Sequence, residues 1–223
     1  MTSLSDIDFS QLKLAKSGRL VKIMYNKEPL QLVTGKMYMP FGVKISTNNY
    51  SNFTNCHIDC SLNQSNSEIS VKYRESLEAL DKRIIELIQE SLHLFKTDSD
   101  YESNDIPNIY GTILRENKTY PKLMKISLPR DKNGNFDFVI FDTQKEQLII
   151  NNDDKLSESL CKGKIFKGII ECAKIWYFKG RFGTTWNLTQ LKFVENTNNN
   201  DNDSGTNVPK QNTSEAQVYM MLD

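Results

Sequence analysis

The chain has 223 residues with 28 basic and 28 acidic side chains, a formal charge of zero, and 38% hydrophobic residues. Mean hydropathy is −0.53, and no apolar run approaches the ~20 residues that cross a bilayer, so the composition excludes a membrane-spanning helix and points to a soluble protein with no membrane partner. The opening residues Met1 to Asp8 lack the basic and apolar segments of a secretory signal, and the expected location is intracellular.

The neutral total hides an uneven distribution. From Glu195 onward the acids Glu195, Asp201, Asp203, Glu215 and Asp223 face the single base Lys210, a net of −4, which leaves residues 1–194 at about +4. A basic body followed by an acidic tail suits a protein whose ligand is an anion.

In chain order, residues 1–18 read as an N-terminal arm ahead of one domain over 19–194. From Arg19 to Ile45, short runs of apolar and β-branched residues alternate with turn residues (Asn26-Lys-Glu-Pro29, Gly35, Pro40-Phe-Gly42), the pattern of an antiparallel meander. A further strand spans about Phe53 to Leu62. The period then changes: Leu77, Leu80, Ile84, Leu87, Ile88 and Phe95 recur at three- and four-residue steps, which predicts one amphipathic helix over about 72–95. The polar stretch 97–105 is a loop. Strands resume at Tyr120–Leu128 and Phe136–Phe141, separated by a turn at Asn133-Gly134. A short helical connection over Leu156–Leu160 leads to two long strands, about Gly163–Trp176 and Thr184–Val194. Beyond Glu195, the asparagine-rich run has nothing to bury against the entropy of ordering, so a disordered tail over 195–223 is expected, ending in the apolar tip Val218-Tyr-Met-Met-Leu222.

The last two strands carry the chemistry. Lys174-Ile-Trp-Tyr-Phe-Lys-Gly-Arg-Phe-Gly-Thr-Thr-Trp186 gathers both tryptophans, Tyr177, Phe178 and Phe182 with Lys179 and Arg181 around a glycine turn. Aromatic faces stack on nucleic-acid bases for about 1–3 kcal/mol each without reading sequence, while neighbouring cations hold phosphates. Alternation along a strand forbids all of these rings from facing one ligand, so part of the set belongs to the core. Lys164, Lys167 and Lys174 on the incoming strand, Lys192 on the outgoing one, and Lys122 and Lys125 on the middle strand are further phosphate candidates. Tyr38, Phe41 and Lys44 flank the Pro40-Phe-Gly42 turn, with Phe41 a stacking candidate.

Other chemistries fit less well. In Cys56-His-Ile-Asp-Cys60, neighbouring Cys56 and His57 point to opposite faces of a strand and no second cysteine pair follows, so no metal or other cofactor is expected. Cys161 and Cys172, like the first two cysteines, read as reduced thiols. Asp137, Asp142 and Lys145 form the best catalytic cluster available, faintly like that of a metal-dependent nuclease, but Asp142-Thr-Gln-Lys145 is one residue too long for the usual carboxylate-x-Lys step. With no phosphate loop, serine elbow or histidine pair, the chain does not read as an enzyme.

The order of elements, with Pro40-Phe-Gly-Val43, Leu80-Asp-Lys-Arg-Ile84, Tyr120-Pro-Lys-Leu-Met-Lys125 and the aromatic hairpin, resembles the single-stranded-DNA-binding proteins of nucleocytoplasmic large DNA viruses, which look like those of T7-type phages. The resemblance covers roughly Leu30 to Val194. It implies a mainly β fold with α, an OB-fold-like antiparallel barrel elaborated by one long helix, that coats single-stranded DNA during viral-type replication, recombination or repair, at a site in the host cytoplasm or the nucleus. It also implies that the tail tip, Tyr219, Met220, Met221, Leu222 and Asp223, contacts a DNA polymerase, helicase or primase, and it leaves room for a homo-oligomer. The rival class is a scaffold or transcription accessory protein that uses the aromatic hairpin as a protein interface.

Overall fold

The computed structural model describes residues 2–47, 54–62, 68–95, 103–116 and 121–195; the tail from 196 onward, with its apolar tip, lies outside them. In chain order the elements are β1 Thr2–Ser3, β2 Lys13–Ser17, β3 Leu20–Tyr25, β4 Glu28–Pro29, β5 Gln31–Val33, β6 Met37–Tyr38, β7 Val43–Thr47 and β8 Thr54–Leu62. Helix α1 Glu68–Glu90 and the single turn α2 Ile106–Ile109 follow, then β9 Leu114–Arg115, β10 Leu123–Leu128, β11 Val139–Phe141, β12 Gln147–Leu148, α3 Asp153–Ser159, β13 Ile165–Phe178 and β14 Arg181–Phe193.

The fold is mainly β with one long helix. Strand β13 bonds to β6, β6 to β8, β8 to β10, β10 to β14 and β14 back to β13, so five strands close a ring, the strand number of an OB-type barrel. Most pairings are antiparallel, as expected. Three are parallel: β1 with β5, β10 with β14, and β11 with β14, so the sheet is mixed.

The ring interior is filled by the inward residues of these strands, including Met37, Ile58, Cys60, Met124, Ile126, Phe166, Ile170, Cys172, Trp186 and Leu188. Residues 2–18 are integrated rather than an arm. Leu4 and Leu12 are buried in the same core, and β2 pairs along its whole length with β3. The apolar residues of this segment are few, and their spacing alone did not announce a partner.

The amphipathic stripe of α1 is buried as Leu77, Leu80, Ile84, Leu87 and Ile88. The helix begins at Glu68 and ends at Glu90, ahead of a 3-10 turn at Leu92–Leu94; Phe95, expected in the helix, packs edge-on against Phe182 at 5.1 Å. Within the stripe sits one carboxylate, Asp81. Its Oδ1 accepts the Tyr110 hydroxyl at 2.7 Å, and its Oδ2 accepts the Ile113 backbone N–H at 3.0 Å. These bonds tie residues 106–116 to the helix, while the Gly111 N–H donates to Phe182 O on the opposite side. Segment 106–116 is thereby a strap held through its middle to both α1 and β14.

Burial raises the Asp81 pKa from its ordinary value to about 6, opposed by the Tyr110 and Ile113 bonds. Between the unfolded value and 6 the folded state binds the extra proton, so this residue's contribution to stability falls as pH rises through that window. Replacing Asp81 by Asn should remove this dependence: the unfolding free energies of wild type and variant should change relative to each other by up to about 3 kcal/mol between pH 7 and pH 4. Parallel stability profiles from denaturant titrations at the two pH values would contradict this account of Asp81.

Candidate nucleic-acid interface

The hairpin turn is tighter than the glycine spacing suggests. Lys179 and Gly180, at φ 48° and 77°, form a two-residue turn with both residues left-handed, the twist that matches paired strands. Phe182 and Gly183 are therefore strand residues, not turn residues.

Registers then sort the aromatic set. Lys174 lies opposite Thr185, Trp176 opposite Gly183, and Phe178 opposite Arg181, all on the outward face. Ile175, Tyr177, Phe182 and Thr184 occupy the inward face. Phe182 is fully buried, with Tyr177 at 4.9 Å and Phe95 on another side. Trp186 is buried too, its indole N–H donating to Thr184 Oγ1 at 3.0 Å. Phe182 and Trp186 are thus core residues and are withdrawn as stacking candidates, because a base cannot reach either ring while the barrel is closed. Tyr177 belongs with them, packed against the core.

Trp176 and Phe178 remain at the surface. Phe178 is 64% exposed, with the Lys179 ammonium 5.4 Å from its ring centre. The Trp176 indole lies on the Gly183 backbone: a Cβ at position 183 would stand 2.4 Å from its Cζ2 and 2.8 Å from its Cη2. Glycine here gives the ring a flat seat on the neighbouring strand. Strand β3 adds an aliphatic neighbour. Val21 pairs with Ile175 in antiparallel register, and one step along that register puts Leu20, 42% exposed, beside Trp176. Arg181 is exposed at the same tip and Lys174 half-buried below it.

The outward face continues across the sheet. Asn187 pairs with Ser127 on β10, Ser127 with His57 on β8, and His57 with Lys44 on β7. Beside this row, Lys125 pairs with Asp59. Three strand spacings of about 4.8 Å separate the aromatic hairpin from Lys44. Asp59, nearly buried, holds Lys44 Nζ at 2.7 Å on one oxygen and Arg115 Nη2 at 2.7 Å on the other. These bonds pull its pKa below the ordinary carboxylate value even though burial, the largest effect, pushes the other way. The Lys44 ammonium also sits 4.9 Å from the centre of the exposed Phe41 ring.

The other sequence candidates are scattered. Lys122 points to the helix side, paired with Glu116 at 3.3 Å and Glu78 at 3.5 Å, and does not join the hairpin. Lys164 lies 5.5 Å over the Phe193 ring, near the start of β13. Lys167 and Lys192 face each other across the hairpin at its far end, and half-buried Tyr38 pairs with neighbouring Ile165. Pro40 is buried, and Gly42, at φ 71° with the Leu160 carbonyl 2.9 Å from where a Cβ would stand, turns the chain. In the nuclease-like cluster, one Asp142 oxygen is occupied by the N–H groups of Gln144 and Glu146, which makes it a turn residue. Cys56 and Cys60 face the core while His57 lies on the opposite, outward face of β8, so this triplet does not converge. Among the described residues no group of three or more His, Cys, Asp or Glu is placed to hold a metal ion.

Sequence reasoning missed Arg115, His57, Asp59 and Leu20 as parts of this surface. For His57 and Asp59 a signal existed, since alternation in Cys56-His-Ile-Asp-Cys60 puts both on the face opposite the cysteines.

Substituting Gly183 by Ala should displace the Trp176 ring without altering the fold, because the backbone at 183 is ordinary extended strand. Tryptophan emission should shift to the red with circular dichroism unchanged, whereas an unchanged emission maximum would mean that the indole does not rest on Gly183.

No protein-family model and no curated protein sequence matches the chain. Among solved structures it is similar to the single-stranded DNA-binding protein from bacteriophage Enc34 in complex with ssDNA, at 10% identity and TM-score 0.46, covering 86% of this chain and 99% of that one. A C-terminal truncation of that phage protein gives 11% identity and TM-score 0.44 over 84% and 96% of the chains, and a further structure of it 11% and 0.43 over 86% and 96%.

Proposed function

We propose that this protein binds single-stranded DNA without sequence preference, on the outward face of the β13–β14 hairpin and the sheet surface that continues from it. One observation carries the reading: Trp176 and Phe178 are outward on the same strand, one seated on Gly183 and the other largely exposed, with Lys174, Lys179 and Arg181 interleaved. Flat rings with cations between them are what a splayed strand requires, because every base has a face to stack and every linkage a charge to neutralise. A duplex hides its base faces, so the same surface favours single strands. Stacking and charge neutralisation act on any base and any linkage alike, which fits binding without sequence preference.

Coating exposed strands during replication, recombination or repair of viral-type DNA, inside the cell, is the role that fits such an activity. It needs no catalytic group and no cofactor. Recruitment of a polymerase, helicase or primase through Tyr219 to Asp223, and self-association along the strand, belong to the same proposal. The exposed Leu20 and Phe178, with half-buried Trp176 between them, also suit a protein partner, since aromatic anchors dominate protein interfaces, and the binding test separates the two.

In fluorescence anisotropy with a labelled mixed-sequence oligonucleotide, the protein should bind the single strand in preference to its duplex. The logarithm of affinity should fall by about 0.7 per neutralised phosphate with the logarithm of salt. Trp176→Ala and Phe178→Ala should each weaken binding by about 1–3 kcal/mol, roughly 5- to 150-fold. Trp186→Phe, which touches only the core, should lower stability and leave affinity unchanged. Absence of binding at low salt would sink the reading and favour the protein-interface alternative.

A further inference from the structure

On the β7–β8–β10 face, four strands bring charged groups around one imidazole. His57 on β8 has Lys44 on β7 as its paired neighbour and Ser127 on β10 on its other side; Lys125 is two residues from Ser127 on the same face, and Arg115 arrives on β9. Asp59 is the carboxylate of the group, and both its oxygens are engaged by Lys44 and Arg115. The charge does not balance. Among the described residues three cations face one carboxylate, a surplus of two positive charges while His57 is neutral.

Asp59 fixes the two cations but does not exhaust them. The Lys44 and Arg115 side chains are 48% and 50% exposed while that of Asp59 is 10% exposed, so their remaining N–H donors are reachable from solvent. Such an array, anchored from beneath and unsatisfied above, matches the oxygens of a phosphate. His57 responds to the same surplus. Burial lowers its pKa most, the Lys125, Lys44 and Arg115 charges lower it further, and the Asp59 charge opposes them. An arriving phosphate offsets the repulsion and accepts a hydrogen bond from the protonated ring.

We propose that Lys44, Arg115, Lys125 and His57 form a backbone-phosphate subsite, and that phosphate binding there is coupled to uptake of a proton by His57. The inference rests on the single-strand reading for the source of the phosphate and adds a pH dependence that the stacking face does not have. The groups facing His57 from each neighbouring strand are Lys44 from β7, Asp59 from β8, Arg115 from β9 and Lys125 from β10; Cys56 and Cys60 face the core. By linkage, a ligand that raises the pKa of a group binds more tightly as pH falls through that group's titration.

The test uses the full chain and a labelled oligothymidylate, whose bases do not titrate between pH 5.5 and 8, at constant ionic strength. Wild-type affinity should rise roughly five- to tenfold from pH 8 to pH 5.5. His57→Gln should flatten the profile. The chain has only one other histidine, so His93→Gln, in the turn after α1, should retain the wild-type slope. A flat wild-type profile, or a slope that survives His57→Gln, overturns the proposal while leaving single-strand binding intact. Failure of wild type to bind the oligonucleotide at any pH instead contradicts the single-strand reading. The subsite is then decided on its own by titrating the His57 ring by NMR with and without inorganic pyrophosphate: a raised pKa supports the site, and an unchanged one overturns it.

Discussion

Strand β13 is hydrogen-bonded to β3, β5, β6 and β14, and the rest of the barrel depends on how it is shared. Along its fourteen residues it takes β6 at its start, β5 in the middle and β3 toward its end, with β14 along the other side. One long strand with short partners in succession lets the sheet bend round on itself, and the pairing of β10 with β14 closes the ring. Closure removes the edges these strands would otherwise present to other chains. It also fixes which side of the hairpin faces in, and hence which aromatics are left for a ligand.

A bulge makes that last choice. The register between β13 and β14 slips between Cys172 and Lys174, leaving Ala173 as an extra residue. Strict alternation would put Cys172, Lys174 and Trp176 on one side. With the bulge, Cys172 is buried in the core while Lys174 and Trp176 turn outward. Bulges re-aim side chains in this way and are frequent beside functional sites. Here the core half of the strand, with Phe166, Ile170 and Cys172 inside, becomes a surface half with Trp176 and Phe178 outside. The same strap that Asp81 holds against α1 continues into β9 and sets Arg115 over Asp59, so the cationic part of the surface depends on a buried contact on the far side of segment 106–116.

These features explain what could be read from the sequence. The helix was legible because its stripe recurs over several turns, and its ends were not, since Phe95 is as apolar as the stripe yet packs on Phe182 from beyond the helix. The long hairpin was legible from its aromatic and β-branched runs. The turn within it was misplaced because Gly183 resembles a turn residue; its actual role is to make room for an indole. Alternation correctly required the aromatics to divide, but the division could not be assigned without the bulge, which is a property of the pairing and not of either strand. Parallel pairings, ring closure and the arrival of Arg115 depend on contacts between distant segments, which local pattern does not encode.

The central claim is that bases stack on Trp176 and Phe178 while Phe182 and Trp186 stay inside the barrel. Photo-crosslinking with an oligonucleotide carrying 5-iododeoxyuridine, followed by peptide mass spectrometry, tests it most directly. The account predicts adducts on Trp176 or Phe178. Adducts on Phe182 or Trp186, or confined to surfaces away from the β13–β14 hairpin and the β7–β8–β10 face, would contradict it.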